Sequence, residues 1–173
     1  MNAKRYIFWI ITSITMMIAI VACKNPFAPK LSSNNLLISN LGNQKTVEGV
    51  FQNFSYAYQY KDTLVYGKLL DDNFSFIYRD YNSGMDKSWG RQEEMYVANN
   101  MFRNIISAEL IWNASSQQIG DSLLLDVSRS FSLKLEINPA DIINVYGRAV
   151  FRLRRKSTED DWKILSWRDE SNY

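Results

Sequence analysis

Side chains able to move a proton, attack a carbonyl or grip a metal are scarce in this 173-residue chain. It has no histidine and a single cysteine, Cys23. Histidine general bases, Ser-His-Asp and Cys-His hydrolases and histidine-bound zinc are therefore excluded, and neither a cofactor nor a metal is expected. Carboxylates and aromatic side chains remain. Asp80, Glu93, Glu94 and Asp169 are the acids expected nearest to a pocket lining, and a carboxylate in a partly dry site is a candidate base. Glu93 and Glu94 also fall in the first turns of a helix, where the dipole favours acids and accounts for them without any ligand. Arg129 stands in an apolar row between Val127 and Phe131, where a guanidinium must meet a ligand or be paired with a carboxylate from the helices, unless a bulge or strand end returns it to water. Tyr66, Tyr78, Trp89, Tyr96 and Trp112 belong to an aromatic set that suits a ring-shaped or lipidic ligand, although aromatics at helix and strand spacing also build ordinary core. Arg148, Arg152, Arg154, Arg155 and Lys156 form a basic stripe, and Glu159, Asp160 and Asp161 across a tight turn are its expected ion-pair partners.

Those residues have to be positioned by elements, and periodicity supplies them. Val47, Val50, Phe51, Phe54 and Tyr58 recur at steps of three and four, which predicts a helix with Thr46 as its N-cap. Asp62 caps a second, shorter helix through Leu64, Val65, Leu69 and Leu70. Phe74, Phe76 and Tyr78 alternate as a strand, Tyr81 to Gly90 reads as a turn-rich loop, and Arg91 to Arg103 returns to helical spacing. Extended segments follow at Ile106 to Trp112, Leu123 to Ile137, Ile142 to Lys156 and Trp162 to Asp169. In the long one, Leu123, Leu125, Val127, Phe131, Leu133, Leu135 and Ile137 share a face, so it should curve and bury that face only. Helices followed by an antiparallel meander predict an α+β domain with the helices on one face. A curved sheet wrapped over them leaves an open cone.

The amino terminus carries a separate signal. Lys4 and Arg5 precede an apolar run from Ile7 to Ala22, the pattern of a signal segment. Ile20-Val21-Ala22-Cys23 resembles the lipobox cleaved by the bacterial lipoprotein signal peptidase, which implies lipid on Cys23 as the first mature residue. The competing reading, an uncleaved membrane helix, needs about 17 to 25 apolar residues, and this run is at the short end. Cleavage would leave residues 23–173, one domain in size, and would remove two of the 20 basic residues, leaving 18 against 18 acids. That neutrality gives a nucleic-acid partner no support. Lys24 to Lys45, with Pro26, Pro29 and several Ser and Asn, reads as a tether, or else Leu36, Leu37 and Ile38 form a short ordered edge. The expected organisation is a signal peptide at 1–22, a lipidated cysteine and tether at 23–45, and a folded domain at 46–173.

Three segments, YAYQYKDTLVYGKLLDDNFSFIY, WGRQEEMYVANNMF and GRAVFRLRRKSTEDDWKILSWRDE, follow one another as they do in the nuclear transport factor 2-like superfamily, and the resemblance covers about residues 46 to 170. Asp62, Tyr66, Leu69, Leu70, Phe74 and Phe76 match its first helices and strand, and Trp162 with Ile164 its last strand. The resemblance implies a cone-shaped fold shared with ketosteroid isomerases, polyketide cyclases and scytalone dehydratase, and a homodimer through the sheet. Enzymes of the group use an Asp or Asp-His base with Tyr or Asp donors. Without a histidine, only an Asp-Tyr type of arrangement is open to this chain.

Two functions follow. One is a non-catalytic envelope lipoprotein, extracytoplasmic and lipid-anchored, whose cone binds a small apolar ligand or a protein partner. Lys24 lacks the aspartate that retains enteric lipoproteins at the inner membrane, so by analogy the address is the outer membrane. The other is an isomerase or lyase that abstracts a proton from a small hydrophobic substrate. A carboxylate deep in the cone within reach of a tyrosine favours the enzyme, and a floor filled by Phe, Leu and Trp excludes it.

Overall fold

A computed structural model describes residues 41–170, apart from the side chains of 114–116. The expected signal peptide, Cys23 and the tether up to residue 40 lie outside the described residues.

Helix α1 (Val47–Gln59) starts at Thr46, whose side chain accepts from Gly49 N–H at 3.0 Å and satisfies one of the free donors of the first turn. Its buried face carries Val50, Phe51, Phe54, Ala57 and Tyr58. Asp62 caps α2 (Thr63–Leu69) by accepting from the N–H groups of Leu64 and Val65, each at 2.9 Å. Strand β1 (Leu70–Asp80) and β2 (Met85–Gly90) form a hairpin, and α3 (Arg91–Asn104) follows. Strands β3 (Ser107–Gly120), β4 (Leu124–Asn138), β5 (Asp141–Arg154) and β6 (Lys163–Asp169) complete the chain.

The six strands make one sheet in the order β2-β1-β6-β5-β4-β3. Four of its pairings are antiparallel, but β1 and β6 run parallel, so the sheet is mixed rather than purely antiparallel. The first and last strands both lie between hairpin partners, and sequence order alone does not reveal that pairing. Strand β2 occupies the second half of the expected loop. Its side chains are mostly exposed, so it shows no apolar alternation, and backbone pairing to β1 defines it instead. Gly84, with φ of 66°, makes the turn between them.

Alternation holds only in the middle of β4, where Val127, Arg129 and Phe131 are buried while Ser130 and Lys134 are exposed. Ser128, from the other face, is buried too and accepts from Arg148 Nε at 2.8 Å, and Leu123 and Ile137, expected on the buried face, are exposed. Phe51, Phe54, Tyr66, Val127, Phe151, Leu153 and Ile164 form the closed interior between helices and sheet. The last part of the expected tether is docked onto this body. Asn53 accepts from Gly42 N–H at 2.7 Å and donates to Gly42 O at 3.1 Å, and Gln44 donates to Trp162 O at 2.9 Å. A Cβ on Gly49 would lie 1.9 Å from Asn43 O, so only glycine admits so close an approach. The basic stripe is ion-paired, though mainly with other acids: Arg152 with Asp126 at 2.7 Å, Arg154 with Asp71 at 2.6 Å and Arg148 with Glu170 at 3.5 Å. Among the described residues, no helix is long and apolar enough to cross a membrane.

Candidate functional site

On α3, Glu94, Ala98 and Phe102 are the buried residues, spaced four apart on one face. Two of the three are apolar. The third is a carboxylate, 5% exposed, carried into the interior by the same helical stripe that buries its neighbours. Tyr66 of α2 donates its hydroxyl to Glu94 Oε1 at 2.5 Å, and the indole N–H of Trp89, at the end of β2, donates to Oε2 at 2.6 Å. Two oxygens with about four lone-pair sites receive two donors, so Glu94 keeps capacity for a further partner. Burial, with Tyr58 and Glu94 close by, pushes the Tyr66 phenol well above its usual pKa and keeps it a proton donor.

Glu94 opens on a cavity of about 320 Å³ between helices and sheet. Phe54 and Tyr58 of α1, Val97, Ala98 and Met101 of α3, Phe76 and Trp89 of the hairpin, and Leu110 and Trp112 of β3 line one part of it. Phe131, Leu133, Leu135, Val145, Trp167 and Asp169 of β4 to β6 line the rest. The floor is therefore aromatic and aliphatic, but not filled. The indole nitrogens of Trp112 and Trp167 are buried without a hydrogen-bond partner among the described residues. Both rings lie in a cluster, Trp112 edge-on to Phe51, Phe54, Phe131 and Phe151, where an N–H can rest against a ring face. A ligand thus meets these indoles through carbon, with Glu94 and Asp169 as the acids.

Of the residues expected to form the pocket, Trp89 and Trp112 line it. Tyr66 lies one layer behind, holding Glu94. Tyr78 stands beside the cavity, 6.0 Å from the Phe76 ring and 5.3 Å from Trp89, and is not part of its wall. Tyr96 is 69% exposed on the outer side of α3, next to Gln92 and Glu93, because two residues along a helix turn a side chain to the opposite face. Arg129 is buried but points elsewhere: its guanidinium pairs with Glu48 of α1 at 2.7 Å and lies 4.0 Å from the centre of the Phe51 ring. It is the helix-paired arginine rather than the ligand contact. Asp80 pairs with Lys87 across the hairpin. Glu94 was legible as a buried acid in one respect, its spacing to Ala98 and Phe102, and the first-turn explanation hid it. Among the described residues, no group of three or more metal-ligating side chains comes together.

No family model matches the sequence. No curated protein is similar to it in sequence. Solved structures are. An inferred scytalone dehydratase from Novosphingobium aromaticivorans superposes with a TM-score of 0.63 at 10% identity, covering 81% of this chain and 87% of the other. The fold is nuclear transport factor 2-like. An inferred dehydratase of that family from Streptomyces avermitilis gives 0.59 at 16% identity, over 73% and 94%. An inferred aromatic ring hydroxylase, also from N. aromaticivorans, gives 0.62 at 13% identity, over 79% and 91%. At such identities the nuclear transport factor 2-like likeness concerns architecture alone, and the curved, unclosed sheet over helices is what these proteins share with this chain.

Proposed function

We propose that the protein is an envelope lipoprotein, held to a membrane by lipid on Cys23, whose cone is a receptor for a small and mostly apolar molecule. The observation that carries the reading is the cavity itself, walled by aromatic and aliphatic side chains around one buried carboxylate. Ligand sites are typically of this kind, apolar with a few placed polar groups. The outer membrane and a homodimer through the outer sheet face belong to the same proposal. On that face Ile111 and Tyr146 stand exposed on either side of Ser132.

A second reading, an isomerase or lyase with Glu94 as base, is favoured by the Glu94–Tyr66 hydrogen bond and by the dehydratases among the structural neighbours. It ranks lower for a geometric reason. Proton abstraction also needs a donor about 3 Å from the oxygen where charge develops. The Tyr66 hydroxyl is engaged by Glu94, and Tyr66 is not part of the cavity wall.

Native mass spectrometry of residues 24–173 from a bacterial host tests the receptor reading. A small molecule retained by the folded protein and released on denaturation is the expected result, and its mass gives a chemical class. A uniformly empty protein that also fails to take up apolar ring compounds would overturn it.

A further inference from the structure

The cavity wall contains two carboxylates, Glu94 and Asp169, and no lysine or arginine. The donors to Glu94, Tyr66 and Trp89, are neutral, and no ion pair forms at Glu94 among the described residues. Two other withdrawn charges are treated differently: Arg129 is met by Glu48, and Asp71 by Arg154. A charge withdrawn from water is normally offset by an opposite charge. We infer that the ligand is an organic cation, a small apolar molecule carrying a protonated amine or a quaternary ammonium.

The inference rests on the cavity being a ligand site, and it deepens that reading by assigning the ligand's charge. Glu94 lines the cavity, is 5% exposed and has two of its about four lone-pair sites taken, so an ammonium that meets its carboxylate gains more there than it would in bulk. Seven of the lining residues are aromatic, among them Tyr58, Phe76, Trp89 and Trp167, and ring faces attract cations. The same wall disfavours anions. A fatty acid or an aromatic acid would place a second negative charge beside Glu94 with no base in the lining to receive it.

The test is isothermal titration calorimetry of the full chain in zwitterionic-lipid nanodiscs, with empty nanodiscs as the blank. Three ring-matched probes are compared: phenethylamine, 2-phenylethanol and phenylacetate. Phenethylamine is expected to bind about tenfold more tightly than 2-phenylethanol, and phenylacetate not to bind. In Glu94→Gln the preference for the amine over the alcohol should disappear, while 2-phenylethanol binding persists. Asp169→Asn, at a half-buried position on the last strand, serves as a second variant should Glu94→Gln fold poorly, and it should weaken the amine alone. Equal binding of amine and alcohol, or binding of phenylacetate, would overturn the charge assignment and leave the apolar receptor standing. Binding of none of the three would count against both.

Discussion

Glu94 shows how much a single position can depend on its neighbours. Its carboxyl is tolerable in the interior because Tyr66 and Trp89 each donate to it. Tyr66→Phe removes one donor without changing the volume of a fully buried ring, leaving an acceptor short of a partner. Urea titration is expected to show a loss of about 1–3 kcal/mol. Arg129 is the converse case, a buried cation whose partner, Glu48, stays largely in solvent. Glu48→Ala strands the guanidinium and should cost about 1–3 kcal/mol in the same assay. Arg129→Met keeps the stem against Phe51 and removes the charge, and it should fall within about 1 kcal/mol of the parent because the desolvation penalty disappears with the pair. A greater loss in Arg129→Met than in Glu48→Ala would contradict this account.

Between elements, ion pairs and one close backbone approach join what the sequence separates. At Asp71, burial pushes the carboxyl up, yet the hydrogen bond and charge of Arg154, with the Asn73 N–H, hold it below its usual range. At Asp126 the Arg152 hydrogen bond does the same. A carboxyl depressed in the folded state contributes stability that is present above its unfolded pKa and lost as pH falls through its folded value. Urea midpoints should therefore be level between about pH 5 and 6 and decline below about pH 4, with a shallower decline in Asp126→Asn. The contact of Asn43 with Gly49 belongs to this scale as well. Gly49→Ala would drive a methyl into a carbonyl oxygen, so the 41–45 segment must move off α1. Limited proteolysis should then cut within 41–45 in the variant and spare the parent, while the helix signal in circular dichroism persists.

For the whole molecule, the relevant fact is where the chain enters and where the cavity lies. Gln44 is fastened to Trp162, at the end of the sheet where Arg154 pairs with Lys163. The cavity uses Leu133, Leu135 and Val145, toward the opposite end of the β4–β5 hairpin. Leu125 pairs with Leu153 near the entry end, and the eight residues from there to Leu133 span about 26 Å. The described chain therefore enters beside Trp162, at the end of the hairpin away from Leu133, Leu135 and Val145. Cys23→Ala should leave the fold and ligand binding intact and abolish membrane retention, read by fractionation of cells grown with labelled palmitate. Retention of label or an unchanged fraction in Cys23→Ala would remove the lipoprotein reading without touching the cone.

Much of the architecture was legible from local pattern. Thr46 and Asp62 read as caps because a polar side chain before an apolar period has one good use, and alternation in β4 placed Val127, Arg129 and Phe131 on a common face because a strand has a period of two. The absence of histidine excluded whole classes of chemistry before any fold was known. Tertiary structure decided the remainder. The parallel β1–β6 pairing joins residues about ninety positions apart, as Phe76 and Trp167 show, and no local period records it. Strand β2 exists through backbone bonds that its exposed side chains do not announce. The fate of a polar group in an apolar row depends on what faces it across space. Arg129 met a glutamate from a helix 81 residues away and became structure, whereas Glu94 met two neutral donors and an open cavity.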